Sequence, residues 1–356
     1  MKTVITGSGI GVPANVVKND VLSRIMDTSD EWIRTRSGIE ERRYVDPGQG
    51  SVDLGMQAAE AAMQSAGVAK EDIDAIVFAT MTPDFFFPGN GPVMQARMGF
   101  PEIPTFDIRQ QCSGFLYALD LADSLIQSRK YRRLLVIGAD IHTPFMPWEN
   151  GWDITIGRVH REVTREEYEA NTKIRDRTVL FGDGAGAVVV EAREQGERGF
   201  LTSKLYSDGS NIEALYMPGA GFRFRPFVTH EQLDGDMRVP IMEGRAVFKE
   251  AVSRMPASVR AVCESAGVQV GDLDILLIHQ ANLRIVEGVA KALSLPPEKV
   301  PHNIEKYGNT TAGTIPLALN DAILDGRLKK GDLVLLASVG AGFTVGAVLL
   351  RWGLKQ

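Results

Sequence analysis

Ser65-Ala-Gly-Val68, with Asp72-Ile-Asp74 close behind it, recurs as Ser265-Ala-Gly-Val268 and Asp272-Leu-Asp274, both at an offset of 200 (265 − 65, 272 − 72). The same offset pairs Ala118-Leu119 with Ala318-Leu319, and the apolar run Leu134-Leu-Val-Ile137 with Val334-Leu-Leu-Ala337. Several matches in one register point to two related halves folded on one plan. Any chemistry then belongs where the halves meet.

Outward from these anchors, apolar strand-like runs (Thr3–Thr6, Ala75–Ala79, Thr105–Ile108, Leu134–Ile137) alternate with helix-period stretches (Val52–Ser65, Gly91–Met98, Gly114–Ser128). That alternation is an α/β pattern. The second half repeats it with helical Gly244–Ser265, a strand at Ile275–Ile278, helical Leu283–Leu293 and Gly313–Leu324, and strands within Leu333–Leu350. Residues 148–177 match nothing at the offset and read as an insertion containing a capped helix from Thr164-Arg-Glu-Glu167. The charged, glycine-containing run from Glu191 to Gly199 suggests a boundary between halves, giving units 1–192 and 193–356.

Composition narrows the class. At 44% hydrophobic and 24% charged residues the 356-residue chain is an ordinary globular protein, and its net charge of −6 argues against nucleic acid as a partner. Two cysteines, Cys112 and Cys263, are too few for a disulfide framework and lack metal-ligand spacing, which fits a reducing cytoplasm. Residues 333–350 carry no charge and approach a membrane-span length, but Gly340, Gly342 and Gly346 interrupt them. Two buried strands joined by a glycine turn fit better, so no membrane span is expected.

Cys112 and Ala312 occupy equivalent places, each just before a helix. A cysteine there feels the positive end of the helix dipole, which favours thiolate near neutral pH; an inert core cysteine fits the same position taken alone, and Cys263 in its helical run reads as that. His279 stands at the carboxyl end of a strand, where ligand sites of α/β sheets gather, and Asn309 precedes the helix paired with the one after Cys112. Alone, His279 reads as structural and Asn309 as a turn residue or cap; together with Cys112 all three fall at strand-to-helix junctions of related halves. Gly7-Ser-Gly-Ile-Gly11 mimics a dinucleotide fingerprint, but Pro13 follows and no helix begins there. Gly182-Asp-Gly-Ala-Gly186 likewise runs into the β-rich Val188-Val-Val190.

These residues resemble a family, the β-ketoacyl-acyl carrier protein synthase III group of thiolase-fold condensing enzymes. Gln111-Cys-Ser-Gly-Phe115 is similar to its nucleophile motif, His279-Gln-Ala-Asn-Leu-Arg284 to its histidine motif and Gly308-Asn-Thr-Thr-Ala312 to its asparagine motif. Thr28-Ser-Asp-Glu-Trp-Ile33, Arg36-Ser-Gly-Ile39, Phe87-Pro88, Phe181-Gly-Asp-Gly-Ala-Gly186 and Gly340-Ala-Gly-Phe-Thr344 extend the resemblance over nearly the whole chain. It implies duplicated halves layered α-β-α-β-α.

It also implies a chemistry. Cys112 would take an acyl group from acyl-coenzyme A and pass it to the carbanion released when malonyl-acyl carrier protein loses carbon dioxide, in fatty acid synthesis. His279 and Asn309 would donate to the enolate oxygen, while the N–H of Cys112 and one from the Gly340, Gly342 and Phe343 loop would hold the acyl-transfer oxyanion. Trp32, Arg36 and Arg177 would bind the nucleotide end of coenzyme A, or else be surface packing and ion pairs. Lys249, Arg284 and Lys291 would dock the carrier protein, or form a merely solvated basic face. Phe87 would close a partner's acyl pocket across a homodimer. No resident cofactor or metal is implied.

Departures bear on substrate. The 148–177 insertion would reshape the acyl tunnel or its mouth. Phe85-Phe-Phe87 carries no glutamate base, and Gln110-Gln111 and Ala341 differ from the commonest forms, so an acetyl primer does not follow. Two other readings stay open: a related condensing or acyl-transfer enzyme of a secondary pathway (pyrone, quinolone or polyketide), and a catalytically silent acyl-thioester-binding scaffold.

Overall fold

The computed structural model describes residues 1–148, 151–194, 196 and 198–354; Glu149 and Asn150 of the insertion and Gln195 and Glu197 of the boundary run lie outside the described residues. The repeated tetrapeptide does the same work twice. Helices Ser51–Ala66 and Gly244–Ser265 both end at it, with Gly67 and Gly267 in the left-handed region (φ 67° and 68°). Val68 and Val268 then donate back to Met63 and Cys263 at 3.1 and 3.0 Å.

The paired aspartates follow suit. Asp72 and Asp272 accept the N–H of residues 69 and 269 at 2.9 and 2.8 Å, closing a 3₁₀ turn. Asp74 and Asp274 each accept the first N–H of the strand that pairs in parallel with the one following them, Arg133 at 2.9 Å and Leu333 at 2.8 Å. A short polar residue thus sets strand register in both halves.

Two sheets result. One orders its strands Lys2–Gly11, Gly184–Arg193, Arg133–Asp140, Ala75–Ala79, Thr105–Ile108; the other orders Ile275–Ile278, Leu333–Gly340, Thr344–Arg351, Gly199–Ser207. Period-two alternation divides the central strands of each sheet between two cores. Val77, Leu134 and Val136 of the first sheet and Leu277, Val334 and Leu336 of the second share one core with Phe115, Leu119, Ile315 and Leu319. Helices Gly114–Gln127 and Thr314–Leu324 therefore lie between the sheets. Ile76, Phe78 and Leu135 face helix Ser51–Ala66, and Leu276 and Leu335 face helices Gly244–Ser265 and Leu283–Leu293, on the outer sides. The α-β-α-β-α order follows.

Residues 333–350 form two antiparallel strands around a turn, and among the described residues no helix is long and apolar enough to cross a membrane. The dinucleotide-like glycines sit inside strand Lys2–Gly11, where a Cβ on Gly11 would fall 2.0 Å from the Leu54 carbonyl oxygen. They permit close helix packing. The first strand is longer than Thr3–Thr6, and the helix expected from Gly313 begins at Thr314 after a 3₁₀ turn, Thr311–Gly313.

The insertion carries its capped helix, Arg165–Lys173, with Thr164 and Glu167 bonded reciprocally. Trp148 and Trp152 stack edge-on against the buried Tyr44, joining it to the 17–44 region. Of its described residues only Arg177 lines the central cavity, and Arg175 lies over the Trp32 ring, so the insertion meets the site through its last residues and not along the tunnel. Aromatic packing holds it elsewhere. Residues 208–243, which no periodicity singled out, cover the cavity instead, with Ile212, Leu215, Met217 and Phe224 facing in.

Candidate active site

The two inner helices begin against each other. Cys112 and Ala312 lie in 3₁₀ turns, Gln111–Ser113 and Thr311–Gly313, and Gln111 and Thr311 share a left-handed φ of 46°. Such backbone in non-glycine residues is held only where the surroundings over-determine it. A carboxylate does so for Thr311. Asp140, fully buried, accepts at Oδ1 from the Thr80 and Thr82 hydroxyls (both 2.9 Å) and the Met81 and Thr82 N–H groups (2.8 and 3.2 Å). Its Oδ2 accepts from the Thr311 hydroxyl and from Ala312 N–H at 3.0 Å. Nothing in the sequence repeat had singled out Asp140.

Cys112 is 8% exposed and lines a cavity of about 930 Å³ with His279 and Asn309. Its carbonyl accepts from Ser338 at 2.9 Å, and the Ser113 hydroxyl donates to Thr344 at 2.9 Å, tying the turn to the opposite sheet. A Cβ on Gly340 would stand 3.0 Å from the Cys112 nitrogen, so only glycine lets that loop approach. The helix terminus does not leave the resting thiol ionised: burial first, then the Asp140 charge, pushes it up to about 12, against the N–H groups of Cys112 and Ala341. That corrects the thiolate expectation, because desolvation outweighs the dipole.

His279 is buried, and desolvation, with a smaller push from His142, lowers it to about 3, so the ring is neutral. Its Nδ1 lies 2.7 Å from the Thr314 hydroxyl, which also reaches the Thr311 carbonyl at 2.9 Å. Asn309 accepts the Thr311 N–H on Oδ1 at 2.9 Å, which turns its amide nitrogen to the other side. Two neutral groups capable of donation therefore share the cavity with the thiol.

Gly340 and Gly342 also line it, but the Phe343 N–H is committed to the Asp208 carbonyl at 2.7 Å and cannot serve an oxyanion. Phe343 is thereby excluded as a donor within the Gly340–Phe343 loop, whereas the Ala341 N–H of the same loop is directed at the Cys112 sulfur. Arg36 and Arg177 line the cavity, and Arg36 lies 4.5 Å over the Trp32 ring. Arg175, overlooked in the sequence, covers the same ring at 4.8 Å. Arg284 lines the cavity and donates to the Thr35 carbonyl at 2.7 Å; Lys249 and Lys291 are exposed on adjacent helices and are outside the lining. Phe87 is 81% exposed and also outside it.

Comparison with known proteins follows the same lines. The profile described as 3-oxoacyl-[acyl-carrier-protein] synthase III matches residues 106–156 and 166–209, and that of its C-terminal part matches 263–352. The β-ketoacyl-[acyl-carrier-protein] synthase III of Agrobacterium fabrum is 42% identical over 99% of this chain and 100% of its own length.

The chain belongs to the 3-oxoacyl-[acyl-carrier-protein] synthase III family.

Synthase III of Rhizobium meliloti is 41% identical over the same shares of both chains. Among solved structures, synthase III of Aquifex aeolicus superposes with a TM-score of 0.83 at 40% identity (98% of this chain, 100% of that one), and that of Pseudomonas aeruginosa with 0.84 at 37% (99% of each). The five-layer arrangement is thus the thiolase-like fold of synthase III, a family of acyltransferase-type condensing enzymes.

Proposed function

We propose that this chain condenses an acyl-coenzyme A primer with malonyl-acyl carrier protein, with loss of carbon dioxide, in cytoplasmic fatty acid synthesis. The observation that carries this is one cavity lined together by Cys112, His279 and Asn309. Cys112 attacks the thioester carbonyl; its proton leaves with the coenzyme A thiolate, and a Cys112 thioester forms. The N–H groups of Cys112 and Ala341 stabilise the oxyanion. Because the resting thiol is protonated, ionisation accompanies attack.

In the second step malonyl-carrier protein loses carbon dioxide, and the enolate attacks the Cys112 thioester, releasing the β-ketoacyl product and the cysteine thiolate. His279 and Asn309 donate to the enolate oxygen. This requires the Thr314 hydroxyl proton, directed at the Thr311 carbonyl in the resting structure, to turn to His279 Nδ1, leaving Nε2–H for the substrate. Each donor contributes roughly 3 kcal/mol to lowering the barrier. Units 1–192 and 193–356 divide the labour: the first supplies the nucleophile, the second both donors.

Trp32 between Arg36 and Arg175, with Arg177 nearby, suits the nucleotide of coenzyme A. Lys249, Arg284 and Lys291 suit an acidic carrier protein, and the exposed Phe85, Phe86 and Phe87 suit a homodimer in which Phe87 closes the partner's pocket. Intact-protein mass spectrometry with acyl-coenzyme A tests the core reading. Cys112→Ser is expected to take no acyl group, and Asn309→Ala to acylate yet condense at least tenfold more slowly. Equal loss of both steps in Asn309→Ala contradicts the roles.

A further inference from the structure

The Gly340–Phe343 loop, which directs the Ala341 N–H at the Cys112 sulfur, is tied down on two sides. Towards the nucleophile, the Thr344 hydroxyl donates to the Gln110 carbonyl at 3.1 Å. Away from it, Phe343 and Asp208 exchange both backbone hydrogen bonds, the Phe343 N–H reaching Asp208 at 2.7 Å and the Asp208 N–H reaching Phe343 at 2.8 Å. Strands Thr344–Arg351 and Gly199–Ser207 pair as far as Thr344 with Ser207, so Phe343 with Asp208 is one rung more. The ladder runs past both strand ends into the loop that faces the thiol.

A rung at the end of a ladder is the first to open unless side chains hold it. Arg254 supplies that hold from helix Gly244–Ser265, its Nη2 donating to the Asp208 carboxylate at 2.7 Å and its Nε to Glu250 one turn earlier. Both partners of the Asp208 pair are half-buried. The same carboxylate accepts the Ser210 N–H at 3.0 Å, capping the turn Gly209–Ala214, beyond which Ile212 and Leu215 line the cavity. Ser210 first, then Arg254, hold this carboxylate down to about 2, so the ion pair is complete at neutral pH. One side chain outside the cavity lining thus fastens the oxyanion loop to the start of the cavity cover.

We infer that Arg254 is a positioning residue for the acylation step: by holding the Asp208 carboxylate it fixes the last rung of the ladder and, through Phe343, sets the Ala341 N–H against the oxyanion formed at Cys112. The inference rests on the condensation reading above and adds a residue to its first step. Arg254 itself touches no reacting atom.

The test follows acylation of Cys112 in a single turnover by mass spectrometry, with whichever of acetyl-, octanoyl- and palmitoyl-coenzyme A labels it fastest. Alkylation by iodoacetamide runs beside it, because that displacement develops no oxyanion. Removing an oxyanion donor costs about 100- to 1000-fold and displacing one costs part of that, so Arg254→Met is expected to lower the maximal acylation rate about tenfold. The primer concentration giving half that rate, and the alkylation rate, should stay within about twofold. Asp208→Asn keeps the cap on Ser210 and loses only the charge, so it should match Arg254→Met, and it decides alone if Arg254→Met does not fold. The double variant should fall no further, because the two residues act as one unit, and Arg254→Lys should recover part of the rate. Unchanged acylation in Asp208→Asn overturns the inference, as does an equal fall in alkylation or a multiplied loss in the double variant. If no primer labels the wild type while iodoacetamide still does, the condensation reading fails and this inference with it.

Discussion

Replacing Asp140 with asparagine tests whether one carboxylate holds the turn before helix Thr314–Leu324 against the Thr80–Thr82 segment. The side chain keeps its shape, but one oxygen becomes an amide nitrogen. With that nitrogen at the Oδ2 position, the Thr311 hydroxyl can turn and accept, whereas the Ala312 N–H, 3.0 Å away, faces a donor and is left unpaired. The opposite orientation is worse, since Met81 and Thr82 both direct N–H groups at Oδ1. One buried unpaired N–H and the lost charge assistance together cost about 3 kcal/mol. With an unfolding entropy of about 2.1 cal/mol/K per residue over 356 residues, Tm should fall by roughly 4 °C in scanning calorimetry. The same change removes a charge that raises the Cys112 thiol, so iodoacetamide should alkylate Cys112 faster at a given pH. An unchanged Tm with unchanged alkylation would refute the reasoning.

Two further outcomes follow from the geometry. His279 is held near 3 in the folded state, below the ordinary 6.5, so the unfolded chain binds the extra proton between these values. Its contribution to stability is complete above pH 6.5 and is lost by up to about 1.4 kcal/mol per unit as pH falls towards 3; His279→Gln should flatten the Tm profile there, and an identical slope counts against a buried neutral ring. Gly340→Ala puts a methyl 3.0 Å from the Cys112 nitrogen and 3.1 Å from that of Ser113. Acylation should drop at least tenfold in the mass-spectrometric assay, and full activity would show the loop is free to retreat.

The legible parts of the fold are those where local chemistry and tertiary need coincide. Ala75–Ala79, Thr105–Ile108, Gly244–Ser265 and Leu283–Leu293 were read to their observed ends because apolar period, capping residues and turn glycines agree there. The Thr164 capping box announces its helix for the same reason. Residues 208–243 carry no such period. They gain their place by laying scattered apolar side chains over the cavity, a requirement set by the rest of the molecule.

Sequence by itself determined the duplication and its asymmetry, since a match at one offset needs only letters: Cys112 stands against Ala312, and His279 and Asn309 stand against Ala79 and Arg109. It also determined the family motifs that point to the thiol and its two donors. Tertiary structure alone decided protonation and partnership, because both depend on what desolvates or faces a group from distant parts of the chain. Helix position suggested a thiolate at Cys112, whereas burial beside Asp140 raises the thiol. The Phe343 N–H is claimed by Asp208, and Arg175 acquires meaning only beside Trp32. Spacing along a chain records which groups exist; the dielectric and the neighbours that tune them are assembled only when sheets and loops from both halves close around one cavity.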